Sequence, residues 1–588
     1  MVKHRPWFLF VFFGLLVVAT RAPSMPGQLF TFDDVNLSYA AGHFDIRSSQ
    51  PQPPGYPLFV MEMRALEWLH FRRAESVLHA LGLLGATVAL LLVVLAGGRI
   101  LGGESGYYAA WLLVFHPVFW HASLTSALRV QLAVISVAVG WACWRAFTGE
   151  GRWVLWSALA LGTGAGIRPE AGPLLFPLWA ASALRAKVSW RYRAISLAAM
   201  GAAVLAWLLP AMFASGGPSL FVKACLDYIT DQASVSSGLF GASESRWAAT
   251  FWQLMTWTFC GVLGWPLAAV LAWRRGKGFS LGRQRAAFLA LWIAPALAFA
   301  LTVHVEDPGQ TLLIIPVVCL VGGFLIDRAT ANAGAVVSAW DTAIFAGLAL
   351  IVAGVADRHN AEVIVLLTPV ACLAAALVIK VEQVKNSGLP LRAHIAILLL
   401  APALLLNLVM FYHTGWYYRG SATSGVMAEA EHTLEYMNSG LALTSYEQIA
   451  KTLALDDGTV REVRHLAADR PGKTWVIWEE GPTAWRKIVY YAPALPVAVM
   501  NHKKIRSGSP PVVAIWNGSK IVRHMQGAEP LSLTVPAGAR IVWVLWPKTE
   551  FWDLAQRAFP MTAAGAVWYT DLPPEHGARI LGEYEINW

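Results

Sequence analysis

The sequence predicts an α-helical polytopic membrane protein with about thirteen transmembrane helices, followed by a small C-terminal α/β or α+β domain outside the bilayer. Three observations carry that expectation. Only 14% of the 588 residues are charged, 56% are hydrophobic, and the mean hydropathy is +0.51; soluble domains carry about 25% charged residues. Apolar runs near the length of a bilayer crossing, about 20 residues, recur along the first two thirds of the chain. Charge is also unevenly placed. Residues 412–588 hold 17 Lys and Arg against 17 Asp and Glu, so the whole formal charge of +9 falls in the apolar part.

In chain order the apolar runs cover residues 6–20, 76–98, 106–125, 131–147, 153–167, 171–184 and 194–213, then 247–273, 286–303, 311–326, 335–355, 361–379 and 393–412. The fifth and sixth are short, and the corner Arg168-Pro169-Glu170 either separates two crossings or kinks one, because Pro breaks the helical ladder. The first run follows a basic Met1–Arg5 segment as a signal peptide would. No A-x-A site lies near Ala22, so an uncleaved anchor is expected.

Loop charges orient the runs. With the N-terminus in the cytoplasm, the inner loops carry Arg99, then Arg145 and Arg152, then Arg185, Lys187, Arg191 and Arg193, with further basic residues in each later inner loop. The short outer loops are nearly free of Lys and Arg, the asymmetry of the positive-inside rule. A cytoplasmic N-terminus and an extracytoplasmic C-terminal domain follow. Residues 1–412 form the membrane part, with a first outer loop at about 21–75, and residues 413–588 the soluble part. The second sizeable outer loop is 214–246.

In the soluble part, 426–437, 446–453, 460–468 and 550–559 read as helices. The stretches 474–478, 488–491, 512–516, 531–535 and 541–546 alternate or run apolar as strands do. The basic balance is a membrane signature, and no basic-aromatic surface points to nucleic acid. Cys143, Cys225, Cys260, Cys319 and Cys372 show no CxxC or Cys/His spacing, and they read as small packing residues.

Chemistry concentrates in the first outer loop. Asp33-Asp34 follows the first span, and two adjacent carboxylates are tolerated if solvated, if a divalent cation is shared, or if one holds a proton. Such a pair reads either as helix-capping residues or as a general base toward a hydroxyl. Beyond it, Gln50-Pro51-Gln52-Pro53-Pro54-Gly55-Tyr56-Pro57-Leu58 fixes its own backbone without helix or strand. It is a rigid connector or a wall that seats Gln50 and Tyr56 against a substrate. Arg168 and Glu170 fall at the outer end of the fifth span, where a guanidinium anchors at the interface or grips phosphate oxygens. Arg129, in the segment His121–Arg129, adds a second candidate phosphate contact. His304-Val305-Glu306-Asp307-Pro308-Gly309 is a late outer loop, built as a turn or offering His304 and Glu306 as ligands. Asn36-Leu37-Ser38 is a glycosylation sequon.

The acidic pair after a first span with a cytoplasmic start, together with Pro-Pro-Gly-Tyr-Pro-Leu before the second, resembles the GT-C superfamily of membrane glycosyltransferases. The resemblance is closer to the bacterial protein-mannosyltransferase-like and aminoarabinose-transferase-like branch. It spans about 180 residues by motif and the whole chain by topology. It implies sugar transfer from a polyprenyl-phosphate or polyprenyl-diphosphate donor to a lipid, glycan or protein acceptor outside the membrane. It also implies a catalytic carboxylate at Asp33 or Asp34. Relatives often place a carboxylate or tyrosine after the third span, where this chain has none. A transporter, or a scaffold with an outer sensory domain, is the alternative. Charges at span ends and the absence of a repeat count against the transporter.

Overall fold

The computed structural model describes residues 6–236, 246–262, 281–303, 307–331, 440–479, 485–500, 512–517, 520–524, 533–580 and 586–587, with a few positions between 400 and 412. It divides into two compact units: Met1–Gly27 with Pro53–Ile449, and Gln28–Gln52 with Ala450–Trp588. The boundary expected at 412/413 falls at the edge of undescribed residues, and the units divide elsewhere. Gln28–Gln52, within the polar loop expected to follow the first span, belongs to the second unit.

The first unit is helical. Its elements are α1 (Pro6–Arg21), α3 (Pro57–Trp68), α4 (Ala74–Ile100), α5 (Ser105–Val114), α6 (Pro117–Thr125), α7 (Ala127–Phe147), α8 (Trp153–Ile167), α9 (Ala171–Arg185), α10 (Trp190–Ala214), α11 (Pro218–Ser236), α12 (Arg246–Phe259), α13 (Arg283–Thr302) and α14 (Ile315–Ala331), with α2 (Phe32–Gly42) reserved for the second unit. Among the described residues, Pro6–Ser24, Ala74–Ile100, Ala127–Phe147, Trp190–Ala214 and Arg283–Thr302 are long and apolar enough to cross a membrane. The spans expected at 335–355 and 361–379, and most of 393–412, lie outside the described residues.

The structure refines three of the expected segments. The third run is two helices, α5 and α6, parted at Phe115-His116 because Pro117 cannot continue the ladder. The fifth and sixth runs are a hairpin and not one kinked crossing, since Trp179 Nε1 on α9 donates to Val154 O at the start of α8, 3.2 Å away. The segment 214–246, expected as an outer loop, contains the helix α11.

Packing sorts the helices. α4 and α7 lie against each other in the interior, whereas α1, α10 and α13 turn mostly outward, exposing Trp7, Leu15, Trp190, Ile195 and Phe213. Apolar side chains facing out suit a hydrocarbon solvent. Glycines take over where backbones touch. A Cβ on Gly106 would strike the Val94 carbonyl of α4, and one on Gly323 of α14 would strike the Ser105 carbonyl of α5.

The second unit holds a mixed seven-stranded sheet in the order β4-β3-β2-β1-β6-β8-β7 and an antiparallel sheet β10-β9-β5. The strands are β1 (Thr474–Glu479), β2 (Pro496–Met500), β3 (Val512–Asn517), β4 (Lys520–His524), β5 (Leu533–Val535), β6 (Arg540–Val544), β7 (Thr562–Ala564), β8 (Val567–Asp571), β9 (Ala578–Ile580) and β10 (Ile586–Asn587). β1 runs parallel to β2 and β6, and the other pairings are antiparallel. The period of two sends Val476, Trp478, Val497, Val499, Val542 and Val544 to one face. There they meet Val460 and Val463 of α15 (Tyr446–Ala468) and Ile488 and Val489 of α16 (Trp485–Tyr491). Ile477, Ala498, Ile541 and Trp543 pack on the other face with Phe551 and Ala555 of α17 (Glu550–Ala558).

Two readings of this part are corrected. Residues 446–453 and 460–468 belong to one helix, α15, which runs through Gly458. Residues 488–491, read as a strand from their β-branched and aromatic run, are helical. Parallel β1 and β2 need a crossover, and α16 supplies it, so topology overrides local propensity. The helix expected at 426–437 lies outside the described residues.

Candidate active-site residues

Two constellations carry the expected site residues, one in each unit. In the first unit, Arg168 ends α8 with an extended backbone, φ −137° and ψ 98°, so its side chain emerges at the corner before α9. It is 2% exposed. Its Nη2 donates to the Glu170 carboxylate, and the guanidinium lies 5.0 Å from the Tyr56 ring centre. Arg168 Nε and Nη1 are buried and have no hydrogen-bond partner among the described residues. A buried donor left unpaired costs about 1–3 kcal/mol, more when charged.

Arg129 comes from the first turn of α7. Its Nη1 is 4.0 Å from Glu170 Oε1, and its Nε is 3.7 Å from Asp307 Oδ1. The Asp307 segment is brought there by packing: Ser136 of α7 donates to Leu313 O at 2.7 Å and accepts from Trp292 Nε1 at 3.0 Å. Gly309 also lies so close to Arg129 that a Cβ there would meet the arginine Cβ at 2.8 Å. Asp307 takes the turn role expected of it. Its Oδ1 accepts from Gly309 N at 2.6 Å at the head of the 3-10 turn Pro308–Leu313. Arg129, Arg168, Glu170, Tyr56 and Asp307 thus form one chain of contacts, whereas His304 and Glu306 lie outside the described residues.

In the second unit the aspartates part company. Thr31 caps α2: its Oγ1 accepts from Asp34 N at 3.0 Å, and the Asp34 carboxylate accepts from Thr31 N at 2.8 Å, a capping box. Asp34 is 4% exposed, and burial pushes its carboxyl up to about 7 against the pull of the Thr31 hydrogen bonds. Of the two sequence readings, helix capping therefore belongs to Asp34. Asp33 points elsewhere, and its Oδ1 accepts from Gln52 Nε2.

Gln52 is one member of a polar line that the sequence reading missed. Asn36 Nδ2 donates to Gln52 Oε1 at 2.9 Å, and Arg486 Nε donates to Asn36 Oδ1 at 2.8 Å. Arg486 Nη2 also donates to Ser48 O at 2.9 Å, and its guanidinium sits 5.1 Å from the Tyr39 ring centre. Asn36 is fully buried with both amide ends engaged, so the sequon is closed to a glycan in the folded chain. Gln50, expected to contact substrate, has its backbone in a bridge with Asp45, and the residue is buried. Nothing in composition singled out Arg486, since it is one cation in a charge-balanced region 450 residues from its partner.

Sequence reasoning also passed over Glu62 of α3. Burial raises its carboxyl to about 7, and Gln131 Nε2 lies 3.5 Å from Glu62 Oε2. Among the described residues, no three His, Cys, Asp or Glu side chains gather as a metal site.

With this geometry in hand, comparison with known proteins is informative at the level of fold. The chain is similar to ArnT from Cupriavidus metallidurans bound to undecaprenyl phosphate, with TM-score 0.55 and 12% identity over 96% of this chain and 97% of that one. It is also similar to the apo state of the same protein, with TM-score 0.56 and 13% identity over 97% and 98%. No protein-family model and no curated protein matches the sequence. At this identity the likeness establishes the fold. That fold is a polytopic helical part with a C-terminal sheet domain.

Proposed function

We propose that the chain is an integral membrane glycosyltransferase that moves a sugar from a polyprenyl-phosphate-type carrier to a hydroxyl of a lipid, glycan or protein presented outside the bacterial inner membrane. The observation that carries this reading is buried Arg168, with two donors lacking a hydrogen-bond partner among the described residues, in a chain that shares the fold of a protein solved with undecaprenyl phosphate. Guanidinium matches phosphate oxygens in charge and in the fork of its donors.

The roles divide as follows. Arg168 holds the carrier phosphate. Arg129 adds positive charge beside Glu170 and Asp307, and Tyr56 supports the face of the Arg168 guanidinium. Asp33 is the base, because Asp34 is consumed by the helix cap. In the reaction, the acceptor oxygen bonds to the sugar anomeric carbon as the bond from that carbon to the phosphate oxygen breaks. The phosphate leaves with the electron pair, and the acceptor proton passes to Asp33. A phosphate leaves readily, so positioning and deprotonation are the protein's main tasks.

The test is turnover of radiolabelled polyprenyl-phosphate sugars by purified protein. Asp33→Asn lowers kcat by about 10²-fold or more with KM little changed. Asp34→Asn retains most activity, since Asn still accepts from Thr31 N. Arg168→Ala chiefly weakens donor binding. Wild-type turnover by Asp33→Asn would exclude this mechanism.

A further inference from the structure

We propose that Arg486 is a positioning residue for the Asp33 carboxylate, acting through Asn36 and Gln52. This inference rests on the reading of Asp33 as the base.

The argument is one of hydrogen-bond polarity. A guanidinium only donates, so the Asn36 atom that faces Arg486 Nε must be the carbonyl oxygen Oδ1. That leaves the Asn36 Nδ2 group to point at Gln52, which must answer with its own carbonyl oxygen Oε1. Gln52 Nε2 is then the atom left for Asp33, and it donates to Asp33 Oδ1. Each amide could be turned end for end in isolation. With a cation fixed at one end, only one sense satisfies every link, and its last member is a donor aimed at the carboxylate. A donor there fixes which way the carboxylate is turned.

Arg486 is well placed to hold that sense. It is buried on α16, between the Tyr39 ring and the Ser48 and Ser49 carbonyls. It therefore grips α2 through Asn36 and the return turn through Ser48, two parts of the segment that bears Asp33. Among the described residues, Asp34 adjoins Asp33 on α2, Asp45 and Arg47 pair at the head of the turn that bears Ser48, and Lys487 adjoins Arg486 on α16, where its ammonium pairs with Asp456 of α15. α2 and α16 pack directly, with Tyr39 and Tyr490 edge to face at 5.4 Å. The C-terminal domain thus sets the orientation of a residue that lies more than 400 positions earlier in the chain.

The test uses the full-length protein and three variants. In Gln52→Glu the donor becomes a second carboxylate, so kcat falls by about tenfold or more and the acid limb of the pH–rate profile moves to higher pH. In Arg486→Gln the end group either donates or accepts, the relay loses its fixed sense, and the acid limb moves the same way by less. Arg486→Lys keeps a donor-only cation and recovers much of the wild-type profile. The Asp33 carboxylate stretch, isolated as the infrared difference between wild type and Asp33→Asn, shifts in Gln52→Glu and Arg486→Gln. If Arg486 merely anchors α2, Arg486→Gln lowers the melting temperature while the acid limb and the infrared band stay as in wild type, and the proposal is overturned. Should the wild-type protein turn over no polyprenyl-phosphate sugar, the functional reading fails. The infrared arm still decides whether the relay exists.

Discussion

Thr31 and Asp34 exchange hydrogen bonds across the first turn of α2, and that exchange holds a carboxylate 4% exposed. Its folded value of about 7 lies above the ordinary 3.8, so the folded chain binds this proton more tightly than the unfolded chain. The stabilisation is therefore full below about pH 4 and is lost as pH rises toward 7. Asp34→Asn removes the titration. The melting temperature of the variant relative to wild type should climb between pH 4 and 7 and level off above, as followed by tryptophan fluorescence. A flat difference across that window would contradict the assignment. Deeper in the same unit, Lys487 pairs with Asp456 at 1% and 5% side-chain exposure. Removing one partner strands a buried charge, which costs about 3–5 kcal/mol, whereas replacing both with apolar residues is often neutral. Lys487→Met should thus lower the melting temperature sharply, and the double variant Lys487→Met/Asp456→Leu should recover most of it.

Elements follow the apolar patterning except where a partner decides. α4, α7, α10 and α13 sit close to their expected places because a long apolar run has no alternative in hydrocarbon. Residues 488–491 became helix because two parallel strands must be joined over the sheet face, a constraint that lies in β2, several residues further on. α5 and α14 meet at Gly323, where a Cβ would strike backbone atoms of Ser105 and Ala109, while Gly98 of α4 faces open space. Gly323→Ala should lower the melting temperature in detergent by the equivalent of about 1–3 kcal/mol. Gly98→Ala, gaining helix propensity without a clash, should match or exceed wild type. Equal behaviour of the two variants would mean that α5 and α14 are not in backbone contact.

At the scale of the whole molecule, the proposed orientation places Lys187 on the cytoplasmic side and Lys473 outside, with both side chains exposed. In intact cells a membrane-impermeant maleimide should label Lys473→Cys, and Lys187→Cys only after permeabilisation, each measured against the parental protein. Labelling of both from outside would break the topology. The two-unit division adds a point that linear reading obscured: α2, the helix carrying Asp33, belongs to the same compact unit as the C-terminal sheet.

The sequence alone determined what depends on composition and local order: a membrane protein with apolar helices, a sheet-bearing C-terminal part, an acidic motif and an arginine at a helix corner. Solvent preference acts on every residue of a run at once, so such features survive in one dimension. Only the tertiary structure separates the surroundings of Asp33 and Asp34, because Thr31 meets one carboxylate and Gln52 the other. Only it joined Arg486 to Asn36 and Asp307 to Arg129, pairs distant in the chain whose meeting depends on packing and leaves no periodic trace in the sequence.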